Sequence, residues 1–118
     1  MIDAGLSRRD TFARLAAIGK DPAKLDAILI THEHSDHVAG LVTLARSLDI
    51  PVYLSGLTAP AIAWGEYQPK IELFQAGRSF CVGDLDVDSF TIPHDAEDPV
   101  GFCFRAQGLK VGVATDLG

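Results

Sequence analysis

Six consecutive residues, His32-Glu33-His34-Ser35-Asp36-His37, hold four side chains suited to a metal, including three of the chain's four histidines. Imidazole and carboxylate together suit zinc, manganese or iron rather than calcium. In extended backbone the side chains at i and i+2 share a side, so His32 and His34 can bind one ion together. Glu33 then faces away and reads as a solvated carboxylate or as a hydrogen-bond partner of a ligand. Asp36 and His37 fall where the backbone turns into a helix, which can aim both at a second ion nearby. The chemistry such a cluster serves is metal-assisted hydrolysis.

Competing catalytic signatures fail on spacing. The H-E-x-x-H protease pattern requires histidine at the position that Asp36 occupies, and no G-x-x-x-x-G-K-S/T phosphate loop occurs. No serine sits in a nucleophile-elbow context. The fourth histidine, His94, follows Thr91-Ile92-Pro93 at a strand end. A lone histidine there is more often a surface residue, but three ligand histidines elsewhere make it a ligand candidate. Asp116 ends the run Val111-Gly112-Val113-Ala114-Thr115, at the carboxyl end of a strand, where α/β sheets hold their sites. From the residues alone, Asp116 reads equally well as a ligand and as a turn residue or helix cap.

The elements that must position these groups follow from periodicity. Met1 to Gly5 resembles a strand tail, and Ser7 caps a helix reaching Ile18, with Phe12, Leu15 and Ala16 on its apolar side and Gly19 ending it. Asp21-Pro22 opens a turn, and the apolar run Ala27 to Thr31 is a buried strand leading into the cluster. A helix is expected from about His37 to Leu48, a strand over Pro51 to Leu54, and a further helix from Ala59 to Trp64. That βαβ rhythm implies parallel strands under helices. After Lys70 the pattern changes. Ser79 to Val82 and Leu85 to Ile92 pair around Gly83-Asp84, with a bulge expected near Asp88-Ser89. Gly101 to Arg105 and Lys110 to Thr115 form a second hairpin around Gln107-Gly108.

At 118 residues the chain is at most one domain, and 47% hydrophobic with 22% charged residues is ordinary for a globular protein. No apolar run approaches membrane-spanning length, and the first residues lack a secretory layout. A net charge of -6 argues against a broad nucleic-acid patch but leaves a nucleic-acid substrate open, because metals supply positive charge locally. Cys81 and Cys103 are too few for a disulfide scaffold and read as small buried thiols, which fits a cytoplasmic setting.

The pattern His32-x-His34-x-Asp36-His37, then His94, then Asp116 resembles the metallo-β-lactamase superfamily. The segments Ile2 to Ser7, Ile28 to Gly40, His94 to Phe102 and Val113 to Gly118 are similar to its YycJ-like (WalJ-type) branch. The resemblance implies an α/β (α+β) αββα sandwich carrying two divalent ions, Zn(2+) or Mn(2+), at one edge. It implies a cytoplasmic hydrolase, a phosphodiesterase and 5′-to-3′ exonuclease acting on DNA. Carried over by position, His32, His34 and His94 hold the first ion, Asp36 and His37 hold the second, and Asp116 bridges them. Water activated between the ions would attack phosphorus in line.

Relatives of this kind begin further upstream and continue beyond the Ala-Thr-Asp-Leu-Gly segment, where they supply one more histidine to the second ion. Residues 1–118 are therefore expected to form one incomplete domain, roughly the first half of the sandwich. Such a chain is expected to be weakly active or inactive alone and to associate as a homodimer or with a complementing chain. The same metals could instead hydrolyse an ester, thioester or lactam, and a non-catalytic metal-binding fragment is the reading from a different class.

Overall fold

The computed structural model describes residues 1–67 and 69–115. Among them, three parallel strands, β1 (Ile28–Leu29), β2 (Val52–Ser55) and β3 (Ile71–Phe74), form one sheet in that order. Ile2 adds a parallel bridge to Leu29. Four antiparallel strands, β4 (Ser79–Val82), β5 (Leu85–Thr91), β6 (Val100–Ala106) and β7 (Leu109–Val113), form the other sheet as a meander. Helices α1 (Arg8–Ala17), α2 (Ser35–Val38) and α3 (Leu41–Leu48) precede or link the parallel strands. The layers are helices, parallel sheet and antiparallel sheet, which is the α/β sandwich class expected.

Burial on two sides explains why the run ending in the cluster is continuously apolar. Ile28 and Ile30 pack with Leu41, Leu44 and Ala45 under the helices, together with Val52 and Leu54. Ala27 and Leu29 alternate to the other side, against Val87, Val100 and Phe102 of the antiparallel sheet. Aromatic rings fill the gap between the sheets: Phe74 stacks on Phe80 at 4.9 Å and meets Phe102 edge-on at 5.8 Å.

The helix expected from His37 to Leu48 starts earlier and breaks in two. Ser35–Val38 is one turn, and α3 begins only after Gly40. The cause is a close crossing of backbones. A Cβ on Gly40 would lie 1.8 Å from the Leu6 carbonyl oxygen, and one on Gly5 would lie 1.8 Å from that of Asp36. The Gly40 amide donates to the Ala4 carbonyl and the Ala4 amide to the His37 carbonyl, so residues 3–6 are bonded across the break. The Ser7 cap is as expected, with its hydroxyl accepting from the Asp10 amide, and Gly19 follows α1 with φ +73°.

Three further expectations are corrected. Ala59 to Trp64 forms only a 3-10 turn over Ala59–Ala61, because Ile62 turns extended to reach the core and the Trp64 indole donates to the Ala59 carbonyl. No bulge interrupts β5, whose pairing with β6 runs unbroken from Asp86 to Thr91. The inward position is simply polar: buried Ser89 donates to the Arg78 carbonyl at 2.9 Å and accepts from the Gly77 amide at 3.1 Å. The cysteines are not buried, since Cys81 is exposed and Cys103 half-buried on the outer face of the antiparallel sheet. The Cys81 thiol donates to Asp86, which holds its pKa above the ordinary thiol range. Strand β3 itself had no counterpart in the sequence reading. Ile71, Glu72 and Leu73 are exposed on this edge strand, so it lacks a burial pattern to betray it.

Candidate metal centre

The parallel sheet releases its candidate ligands at the carboxyl end of β1. Thr31 and His32 are fully buried there, continuing the strand's apolar run. His34 then takes extended backbone (φ -60°, ψ 144°) as the residue preceding α2, and Asp36 and His37 ride on that single helical turn. His94 arrives from the loop between β5 and β6. That loop is closed at its base by the Ile92 amide on the Pro99 carbonyl, and the Val100 amide bonds the Thr31 carbonyl at 3.0 Å.

Two groups of potential ligand atoms converge within 4.8 Å: His32, His34 and His94, and His32, Asp36 and His37. His32 belongs to both. Its ring centroid lies 4.8 Å from that of His34, 4.7 Å from His94 and 4.1 Å from His37. His94 Nε2 sits 3.2 Å from His34 Nδ1, and His37 Nε2 sits 3.4 Å from Asp36 Oδ2. The sequence-derived candidates His32, His34, Asp36, His37 and His94 are thus brought together, whereas Asp116 lies outside the described residues. Asp36 is the most open of the group, its side chain 74% exposed.

One carboxylate missed by the sequence reading organises this cluster. Asp3, held at a left-handed φ of +58°, accepts from the Thr31 amide and the Thr31 hydroxyl, both at 2.8 Å, and contacts His37 Nδ1 at 2.7 Å. A carboxylate only accepts, so His37 carries its proton on Nδ1 and presents the Nε2 lone pair. The Thr31 hydroxyl spends its one hydrogen on Asp3 and must accept from His32 Nδ1, 2.9 Å away. His32 is thereby also set in the tautomer that coordinates through Nε2. An aspartate directly after a strand tail, in a chain whose imidazoles require acceptors, was the signal available.

Burial holds the His32 imidazole below its ordinary pKa, reinforced by His37, His34 and His94 and opposed by Asp3. The ring is therefore neutral at physiological pH, as a metal ligand must be. The donor set fits a divalent ion on geometry as well. Two nitrogens at metal bond lengths of about 2.0–2.1 Å in a tetrahedral shell lie roughly 3.3 Å apart, close to the His34–His94 separation. Glu33 is not among the converging groups, and its two oxygens accept the Glu97 amide at 3.0 and 3.3 Å.

Helices over a parallel sheet over an antiparallel sheet, with imidazoles gathered at the strand ends, define a class, and the chain belongs to it: the beta-lactamase superfamily domain family matches residues 1–118. Within that family it is 37% identical over 123 aligned residues to exodeoxyribonuclease WalJ of Streptococcus pneumoniae serotype 2, covering 100% of this chain and 46% of that protein. Exodeoxyribonuclease YycJ of Bacillus anthracis is 35% identical over 126 aligned residues, with the same coverage, 100% and 46%. The chain spans about half the length of the curated relatives it matches. Among solved structures, the metallo-beta-lactamase of Cronobacter sakazakii superposes with a TM-score of 0.79 at 19% identity, over 96% of this chain and 52% of that one. At that identity the likeness concerns the fold. Among the described residues, no helix is long and apolar enough to cross a membrane.

Proposed function

We propose that this chain carries the metal-binding part of a metal-dependent phosphodiesterase that degrades DNA from 5′ ends in the cytoplasm. The observation that carries the reading is the convergence of four imidazoles, drawn from two sheets, on one point at the carboxyl end of β1. The substrate class rests on the two exodeoxyribonucleases that match the whole chain. His32, His34 and His94 would hold one divalent ion, zinc or manganese. Asp36 and His37 would hold a second, with Asp116 placed between them. Such ions, when bound, supply Lewis acidity and a hydrolytic nucleophile near neutral pH.

The chain's own residues prepare that site. Asp3 keeps a proton on His37 Nδ1 and, through the Thr31 hydroxyl, on His32 Nδ1, so that both rings turn their lone pairs to the centre. Complete burial of His32 excludes water from the inner side, and the exposure of Asp36 leaves the outer side open to a phosphodiester. Preset imidazoles need no reorganisation when substrate arrives, which is the condition for electrostatic stabilisation of charge on phosphoryl oxygens.

Metal content after loading with zinc or manganese, followed by digestion of 5′-labelled linear double-stranded DNA, tests this reading. A wild-type chain that binds metal, with bound metal and whatever weak DNA cleavage it shows lost together in His34→Ala and Asp116→Ala, is the expected result. Hydrolysis of a chromogenic β-lactam in place of DNA would overturn the substrate class. Unchanged metal content in His34→Ala would overturn the site.

A further inference from the structure

Glu33 lies inside the ligand cluster, yet it belongs to neither of the converging groups. Because side chains alternate in extended backbone, the segment that turns His32 and His34 to the centre turns Glu33 the other way. There its carboxylate takes the Glu97 amide on both oxygens, at 3.0 and 3.3 Å. Glu97 is three residues beyond His94, and 64 residues of chain separate it from Glu33.

Among the described residues, the backbone of the loop from Ile92 to Pro99 is otherwise held at its base. Ile92 and Pro99 are bonded to each other, and the Ala96 amide closes a local turn on the His94 carbonyl. Pro93 and Pro99 have no amide to donate. The Glu33 contact therefore secures the far side of the loop, on the segment just past the histidine. An ionised carboxylate makes such a bond stronger than a neutral acceptor would.

We propose that Glu33 is a positioning residue: by clamping the Glu97 amide, it sets the His94 ring against His32 and His34. The proposal rests on the reading of this cluster as a metal centre. Glu33 supplies no ligand atom. Its effect is to join a motif delivered by the parallel sheet to the single histidine delivered by the antiparallel one.

The test uses the full chain in metal-free form, zinc competition against a chromophoric chelator, and hydrogen exchange at the Glu97 amide. Glu33→Ala is expected to weaken zinc binding about tenfold, the lower end for residues acting behind a ligand, while Glu33→Gln stays within about threefold because its amide oxygen can accept the same N–H. The Glu97 amide should exchange faster in Glu33→Ala without metal, with an unchanged thermal midpoint showing that the fold is intact. Zinc affinity within about twofold of wild type in Glu33→Ala, or Glu33→Gln as weak as Glu33→Ala, would overturn the clamp. A wild-type chain that takes up no zinc would sink the metal centre instead, and the Glu97 exchange rate would still decide whether the clamp exists.

Discussion

Strands β1 and β2 of the parallel sheet are covered on both sides, and the antiparallel sheet is covered on one. Ala27 and Leu29 face the other sheet while Ile28 and Ile30 face the helices, so nothing in β1 meets water. In the antiparallel sheet Val87, Val100 and Phe102 are buried inward, whereas Cys81, Asp86 and Arg105 on the other face are exposed. The two regions contribute unequally to the site. The parallel sheet delivers four candidate ligands within six residues of one strand end, and the antiparallel sheet delivers His94 from a loop. The difference teaches that dense ligand sets come from elements whose ends are fixed by packing on all sides. A ligand from the half-covered layer requires separate tethers, which Val100 and Glu97 provide.

The largest expected effect comes from breaking the contact between the two layers. Phe102 is fully buried against Phe74, Phe80 and Val87. Phe102→Ala should cost about 3–5 kcal/mol, measured by urea unfolding followed by tryptophan fluorescence. A loss below about 1 kcal/mol would mean that the inner face is not a core and that the layers hold separately.

Next in size is the carboxylate that serves both imidazoles from the parallel side. Asp3→Asn keeps an acceptor for the Thr31 amide but puts an N–H where His37 Nδ1 and the Thr31 hydroxyl now donate. His37 would be driven to the opposite tautomer. Zinc affinity should fall about 10- to 100-fold, with the chain still folded by circular dichroism. Wild-type affinity in this variant would show that the ligands on the parallel side are set by backbone alone.

The same contrast explains what could be foreseen from sequence. His32, His34, Asp36, His37 and His94 were legible because ligand types at strand ends carry their chemistry in their identity and spacing. Asp3 was only weakly legible, since one aspartate near a strand tail acquires its full meaning once Thr31 and His37 are seen around it. The hairpins around Gly83 and around Gln107-Gly108 were legible from turn chemistry, and both carry the positive φ that such turns require. The helix break at Gly40 was not legible. It is imposed by the Leu6 carbonyl, a contact across 34 positions that no local periodicity encodes. Burial of the cysteines was expected because free cysteines are so often buried, but in a sheet covered on one side their apolar neighbours take the inside and the cysteines the outside.

The smallest expected effect probes the open edge of the inner face, at β7. Val111 pairs with Phe104 on the edge strand β7, and its side chain lies mostly in water. Val111→Thr keeps β-branching and nearly the same shape, so strand propensity is retained and little buried area is lost. Stability should change by no more than about 0.5 kcal/mol, at any protein concentration. A loss above about 1 kcal/mol that grows with protein concentration would mean that something covers this face in solution. The inner face of the antiparallel layer would then be enclosed out to its edge strand, and the packing contrast between the two sheets would be smaller than the single chain shows.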